Sequence, residues 1–225
     1  MKLPTYLLLI VLGCLLATAS QAQFSVNIGY SAAMYKNPAL AEVLRTFNQT
    51  EKDTLSQGFR SPYYLHGVQM GVRYKWDDLA VEGSYTFRQN TNAAVFGNPD
   101  LNPITQKLNT NYNAWSLGIT GYVNDWLGIG TSFDYTFVRI KNKWSNEKTS
   151  TVLLQQNGQS STVYLVIDFP ANNLLSMSLK PFFQLPWAKT DLSQLNENLT
   201  SRTQSVQSRW WTAGITLLLC NGNQK

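Results

Sequence analysis

Beyond its first 22 residues, the 225-residue chain has no apolar run of the roughly 18 residues that a membrane-crossing helix requires. Cysteine is scarce as well: Cys14 and Cys220 are the only two, and Cys14 falls in the N-terminal leader described below. With Cys220 alone in the processed chain, an intrachain disulfide is excluded. An exported protein of this size then needs another source of stability. Histidine occurs once, at His66, so no His/Cys metal cluster can be assembled and no cofactor is expected. Charged residues make up only 14% of the chain, and the formal excess of +5 is scattered, which provides no footprint for nucleic acid. Gly128-x-Gly130 lies inside an alternating segment and precedes no helix, so a phosphate-binding loop is excluded.

The leader divides the chain. Lys2 is a minimal basic start, Leu7 to Leu16 is an apolar run too short to span, and Ser20-Gln21-Ala22 is a small-x-small cleavage site before Gln23. The expected organisation is a cleaved signal peptide over 1–22, one β-barrel over 23–220 and a polar tail over 221–225. A second reading of the leader stands beside this. Val11-Leu12-Gly13-Cys14 matches a lipoprotein box, although apolar Leu15-Leu16-Ala17 follows where a polar tether is usual.

What the chain has in abundance is alternation of period two, in segments of the length that crosses a membrane as a tilted strand. Eight such segments are legible: Phe24–Tyr30, the two halves of 67–88, Asn113–Val123, Leu127–Ile140, Ser161–Phe169, Leu175–Trp187 and Gln207–Leu219. In GVQMGVRYKWDDLAVEGSYTFR, a two-residue turn at Asp77-Asp78 sorts every cross-strand pair by polarity. Trp76 meets Leu79, Tyr74 meets Val81 and Met70 meets Tyr85, while Arg73 meets Glu82 and Gln69 meets Thr86. A slip of one residue would mix the faces, so the register is strongly specified. Three connections are short, and four (31–62, 89–112, 141–160 and 188–206) are long, in strict alternation. That is the habit of up-and-down outer-membrane barrels, with short periplasmic turns and long extracellular loops.

Nothing is left over to cover eight apolar faces, so those faces are expected to meet lipid and the polar faces to fill the lumen. The soluble alternative is an exported lipocalin-type barrel of the same period. The inward charges would then be Arg73, Lys75, Glu82, Arg88, Asp134, Asp168 and Lys180, paired in a network centred on Arg73–Glu82. Trp76 and Trp126 at the short-turn ends, with Trp187, Trp210 and Trp211 at the long-loop ends, would form interfacial aromatic girdles. Asn37 and Pro38 can start a helix in the first long loop. Asn157-Gly158 reads either as a hairpin turn of a protruding ribbon or as part of a disordered polar loop.

The segments YKWDDLAVEGSY (Tyr74 to Tyr85), LKPFFQLPW (Leu179 to Trp187) and WWTAGITLLL (Trp210 to Leu219) resemble the small eight-stranded outer-membrane β-barrels of Gram-negative bacteria, the OmpA/OmpX-like group. The resemblance implies an all-β, eight-stranded antiparallel transmembrane barrel in contact with outer-membrane lipid. One departure is the end of the chain, which runs past Leu219 into Cys220 and NGNQK where members often finish on an aromatic residue. The leading functional expectation is a non-enzymatic barrel whose charges plug the lumen. Its loops 31–62 and 141–160 would reach a protein or surface partner for adhesion, partner binding or envelope integrity. One alternative is a narrow OmpW-like barrel with a lumen pocket lined by Tyr112, Tyr122, Tyr164 and Phe182. The other is a lipid-modifying enzyme using His66, but no His-x-Ser arrangement or other nucleophile accompanies it.

Overall fold

The computed structural model describes residues 23–61, 64–97, 102–170 and 175–221. The expected signal peptide and the last four residues of the polar tail lie outside the described residues. In chain order the elements are β1 (Gln23–Lys36), α1 (Pro38–Thr50), β2 (Leu55–Gln57), β3 (Tyr64–Trp76), β4 (Leu79–Phe96), β5 (Ile104–Asn124) and β6 (Leu127–Trp144). They continue with β7 (Thr151–Pro170), β8 (Leu175–Pro186), β9 (Thr190–Asp191), α2 (Ser193–Thr200), β10 (Gln207–Ser208) and β11 (Trp211–Asn221). Eight strands pair antiparallel in the order β4-β3-β1-β11-β8-β7-β6-β5, and β4 pairs with β5 to close the ring. Closure leaves no edge among the eight, which is what a sheet needs where no water can satisfy open backbone groups.

The first hairpin has the register that its polarity dictates: Trp76↔Leu79, Tyr74↔Val81, Arg73↔Glu82, Met70↔Tyr85 and Gln69↔Thr86. Asp77 sits in the left-handed region at φ 47°, which a short acidic side chain tolerates in a tight turn. The β5–β6 turn is closed by the Asn124 carboxamide oxygen, which accepts from the backbone N–H of Leu127 at 2.8 Å and of Trp126 at 3.2 Å. Side chains then alternate by face. Phe24, Val26, Ile28 and Tyr30 are exposed on β1, as are Leu117 and Ile119 on β5 and Leu217 and Leu219 on β11, while Ser25, Asn27, Thr120, Thr216 and Ser178 are buried. A continuous apolar exterior around all eight strands far exceeds what a water-soluble monomer exposes.

The strands are not of equal length. β4 to β7 run 18 to 21 residues, against 11 to 14 for β1, β3, β8 and β11. A membrane needs only about 9–11 residues of tilted strand, so β4–β7 stand out at the long-strand end as a curved wall. The long connections expected at 89–112 and 141–160 are therefore mostly strand. Asn157-Gly158 is no turn: Asn157 pairs with Phe137 and Gly158 with Thr136 in mid-β7, and the chain reverses at 145–150 instead. Cross-strand pairing over the whole wall outweighs the local turn preference of two residues, and a Cβ on Gly158 would stand 3.0 Å from the Thr136 hydroxyl.

The hollow side of this wall is filled. The Asn37 side chain caps α1 by accepting from the Leu40 N–H at 2.9 Å, and Pro38 opens the helix. Leu40, Val43, Leu44 and Phe47 recur at helical spacing and are all buried. They pack with Leu195 of α2 and Leu192 just before it, with Leu65 of β3, and with Leu108, Ile140 and Leu154 from the wall. Asn48 fastens the chain after α1, donating to the Phe59 carbonyl at 2.7 Å and accepting from its N–H at 2.8 Å.

Candidate functional site: the lumen and its cap

Inward-facing side chains fill the barrel in three storeys, set by which register position each strand contributes. The lowest holds Arg73, Glu82, Asp168 and Lys180, all buried. The Arg73 guanidinium lies 3.4 Å from Glu82 and 3.3 Å from Asp168, and the Lys180 ammonium pairs with the other oxygen of Glu82. Asp168 also accepts from the Tyr122 hydroxyl at 2.9 Å and the Ser178 hydroxyl at 2.5 Å. Lys180 lies 3.6 Å over the Tyr164 ring. Pairing and hydrogen bonding of this kind offset the large cost of taking these four charges out of water. Lys75 stands one layer nearer the short-turn mouth, 3.7 Å over the Tyr122 ring. It faces an open vestibule of about 450 Å³ that Asp77, Asp78 and Asp125 also line.

The middle storey is polar and has no ion pair among the described residues. Asp134 accepts from Ser132 at 2.8 Å, Thr162 at 2.5 Å and Gln184 at 3.2 Å. Gln184 in turn accepts from the Tyr112 hydroxyl at 2.7 Å. Arg88 donates to Ser31 at 2.9 Å and lies 4.5 Å from the Phe182 ring. The cavity these groups share is about 30 Å³, room for water only. The upper storey is the apolar core under α1 and α2.

Of the seven expected lumen charges, the structure gathers four at the lowest level. Lys75 lies below them, and Arg88 and Asp134 lie above them in separate hydrogen-bond sets. Tyr122, Ser178, Ser31 and Gln184 complete these sets. Each has inward parity on its strand, so the same alternation that singled out the charges also marks them. Tyr112, Tyr122 and Tyr164 spend their hydroxyls on Gln184, Asp168 and Thr120, and Phe182 covers Arg88, so they enclose no apolar pocket.

Trp76 and Trp126 lie at the short-turn end. Trp187 packs against Phe133 at 5.2 Å and Trp211 against Phe183 at 5.8 Å on the outer face of the other end. Trp210 is a correction to the expected girdle: it is buried, stacked on Tyr35 at 4.8 Å within the cap core. Two adjacent residues of an extended chain point to opposite faces, so Trp210 and Trp211 cannot both meet lipid. His66 is exposed on the outer face, 6.3 Å from the Tyr30 ring, with Ala32 and Gln89 as its cross-strand neighbours.

The sequence matches no protein-family model and no curated protein. Solved structures do match. Ail, the attachment invasion locus protein of Yersinia pestis, crystallised with the heparin analogue sucrose octasulfate, aligns with a TM-score of 0.53 at 13% identity, over 90% of this chain and 98% of that one. Neisserial surface protein A aligns over 89% of this chain and 98% of its own at 8% identity, with a TM-score of 0.47. This is the fold of a small outer-membrane β-barrel. The described tight turns lie at one end of the ring and the wall with its helices at the other, and barrels of this fold place short turns toward the periplasm and long connections outside.

Proposed function

We propose that the protein is a non-enzymatic outer-membrane barrel, sealed along its axis, that acts through its extracellular wall and cap in surface attachment, partner binding or envelope integrity. What supports this reading is that, among the described residues, a buried ion-pair layer, a hydrogen-bonded polar layer and an apolar core lie in series along the inside of the ring. His66 points outward and has no nucleophile or carboxylate beside it in register, which supports a role without catalysis. Residues 1–22 supply a route to the outer membrane if they are cleaved as a signal peptide. In planar bilayers the refolded full chain is expected to show no sustained conductance, and liposomes containing it are expected not to swell in small sugars. Steady channel openings or sugar uptake by the unmodified protein would overturn the sealed-barrel reading.

A further inference from the structure

On the outer surface of the extracellular wall, β5 and β6 bring four cations into one lattice. Lys107 pairs directly with Lys143, Asn109 with Lys141 and Asn111 with Arg139. All six share the outward parity, opposite to buried Leu108, Thr110 and Ile140. Directly opposed residues of an antiparallel pair stand about 5 Å apart, and like charges there are destabilising. None of the four cations has a carboxylate partner among the described residues, where the ion pairs join Arg45 to Glu42, Arg73 to Glu82 and Asp168, and Lys180 to Glu82. The flanking outward positions, Thr91 and Ala93 on β4 and Gln155 and Val152 on β7, are uncharged. An arrangement that costs the fold stability and leaves four cations unneutralised suits an external polyanion.

Its height selects which polyanion. Tyr135 and Trp115 pair across the same two strands and are exposed at the outer interface, with Phe137 packed on Tyr135 at 4.8 Å. Arg139 to Lys143 follow four to eight residues further along the tilted strand, which places them roughly 10–20 Å above that aromatic level. The headgroup layer of a bilayer leaflet is only about 5–8 Å deep, so a simple phospholipid ends below the strip. Phosphorylated sugars of a large glycolipid reach it, and the interleaved Asn and Thr side chains offer hydrogen bonds to sugar hydroxyls. We propose that this face of β5–β6 binds the phosphorylated inner sugars of an outer-leaflet glycolipid of lipopolysaccharide type. The proposal rests on the wall being extracellular and does not depend on whether the lumen is sealed.

The test is binding of the detergent-solubilised full chain to immobilised rough lipopolysaccharide across a salt series. The unmodified protein is expected to bind at least about tenfold more tightly than the K107Q/R139Q/K141Q/K143Q variant, and at least about tenfold more tightly than it binds the same lipopolysaccharide after chemical dephosphorylation. A control that neutralises Lys36, Lys52, Lys189 and Arg209 to Gln is expected to bind within about threefold of the unmodified protein. A heat-modifiable gel band verifies that each variant is folded. If the fourfold variant fails to fold, K107Q/K143Q and R139Q/K141Q are each expected to weaken binding severalfold. Equal binding by the variants, equal binding to dephosphorylated lipopolysaccharide, or tighter binding to a soluble heparin fragment would overturn the assignment. Conductance in the bilayer assay would sink the sealed-barrel reading and leave this one standing.

Discussion

Glu82 shows what a single lumen residue contributes. Its carboxylate lies between Arg73 and Lys180, and all three side chains are buried. Glu82→Gln keeps the volume and removes the charge, leaving two cations facing one remaining carboxylate, Asp168. Breaking a buried pair from one side costs about 3–5 kcal/mol, so the guanidinium midpoint of the refolded protein should fall clearly. Glu42→Gln provides the contrast. Glu42 pairs with Arg45 at 2.8 Å on the exposed face of α1, where the guanidinium holds its carboxyl below the ordinary range. Water and salt screen that pair, so the same titration should leave the midpoint unchanged. Polarity and parity made Arg73–Glu82 readable in advance. The third and fourth members, Asp168 and Lys180, come from strands far along the chain, and only closure of the ring brings them to the same level.

Among the elements, α2 is the one that alternation could not announce. Its eight residues, SQLNENLT, carry a polar composition; Leu195 and its neighbour Leu192 are buried in the cap core, and Leu199 packs against it half-buried. Asp191 tethers its start, accepting from the Ser193 hydroxyl at 2.5 Å and the Ser193 N–H at 2.9 Å. Those two hydrogen bonds hold the Asp191 carboxyl below its ordinary value. The folded pKa lies below the unfolded one, so the tether contributes fully above the unfolded value and is lost as pH falls through the folded value. Amide protection factors in 192–200, corrected for the intrinsic pH dependence of exchange, should therefore fall in acid, below about pH 4, before those in the membrane strands do. Asp191→Asn should flatten that dependence. An unchanged acid profile in this variant would show that another group controls the docking of α2. By contrast, α1 was readable from Asn37 and Pro38 at its start, because a cap and an N1 proline are local signals.

For the whole molecule, the wall and helices crowd one end while the other holds short turns and Lys75 at an open mouth. In intact cells a membrane-impermeant amine reagent should modify Lys107, Lys143 and Lys189 and spare Lys75. After the outer membrane is breached, Lys75 should become available to whatever extent its half-buried position allows. The reverse labelling would put the cap in the periplasm and would remove the basis of the glycolipid assignment.

Alternation of period two determined the eight strands, the lipid-facing side and the register of the first hairpin, because each depends only on neighbours along the chain or across one turn. Loop content was misjudged because polar residues such as those at 89–96 and 151–160 have no membrane-like apolar face. They are strand only because their neighbours in the ring offer a continuous ladder of hydrogen bonds. The placement of Trp210 inside the cap, the grouping of Asp168 and Lys180 with Arg73 and Glu82, and the cation lattice on β5–β6 were decided by the tertiary structure. Each is a matter of height on a closed barrel, and height is set by the stagger between strands, which no single segment contains.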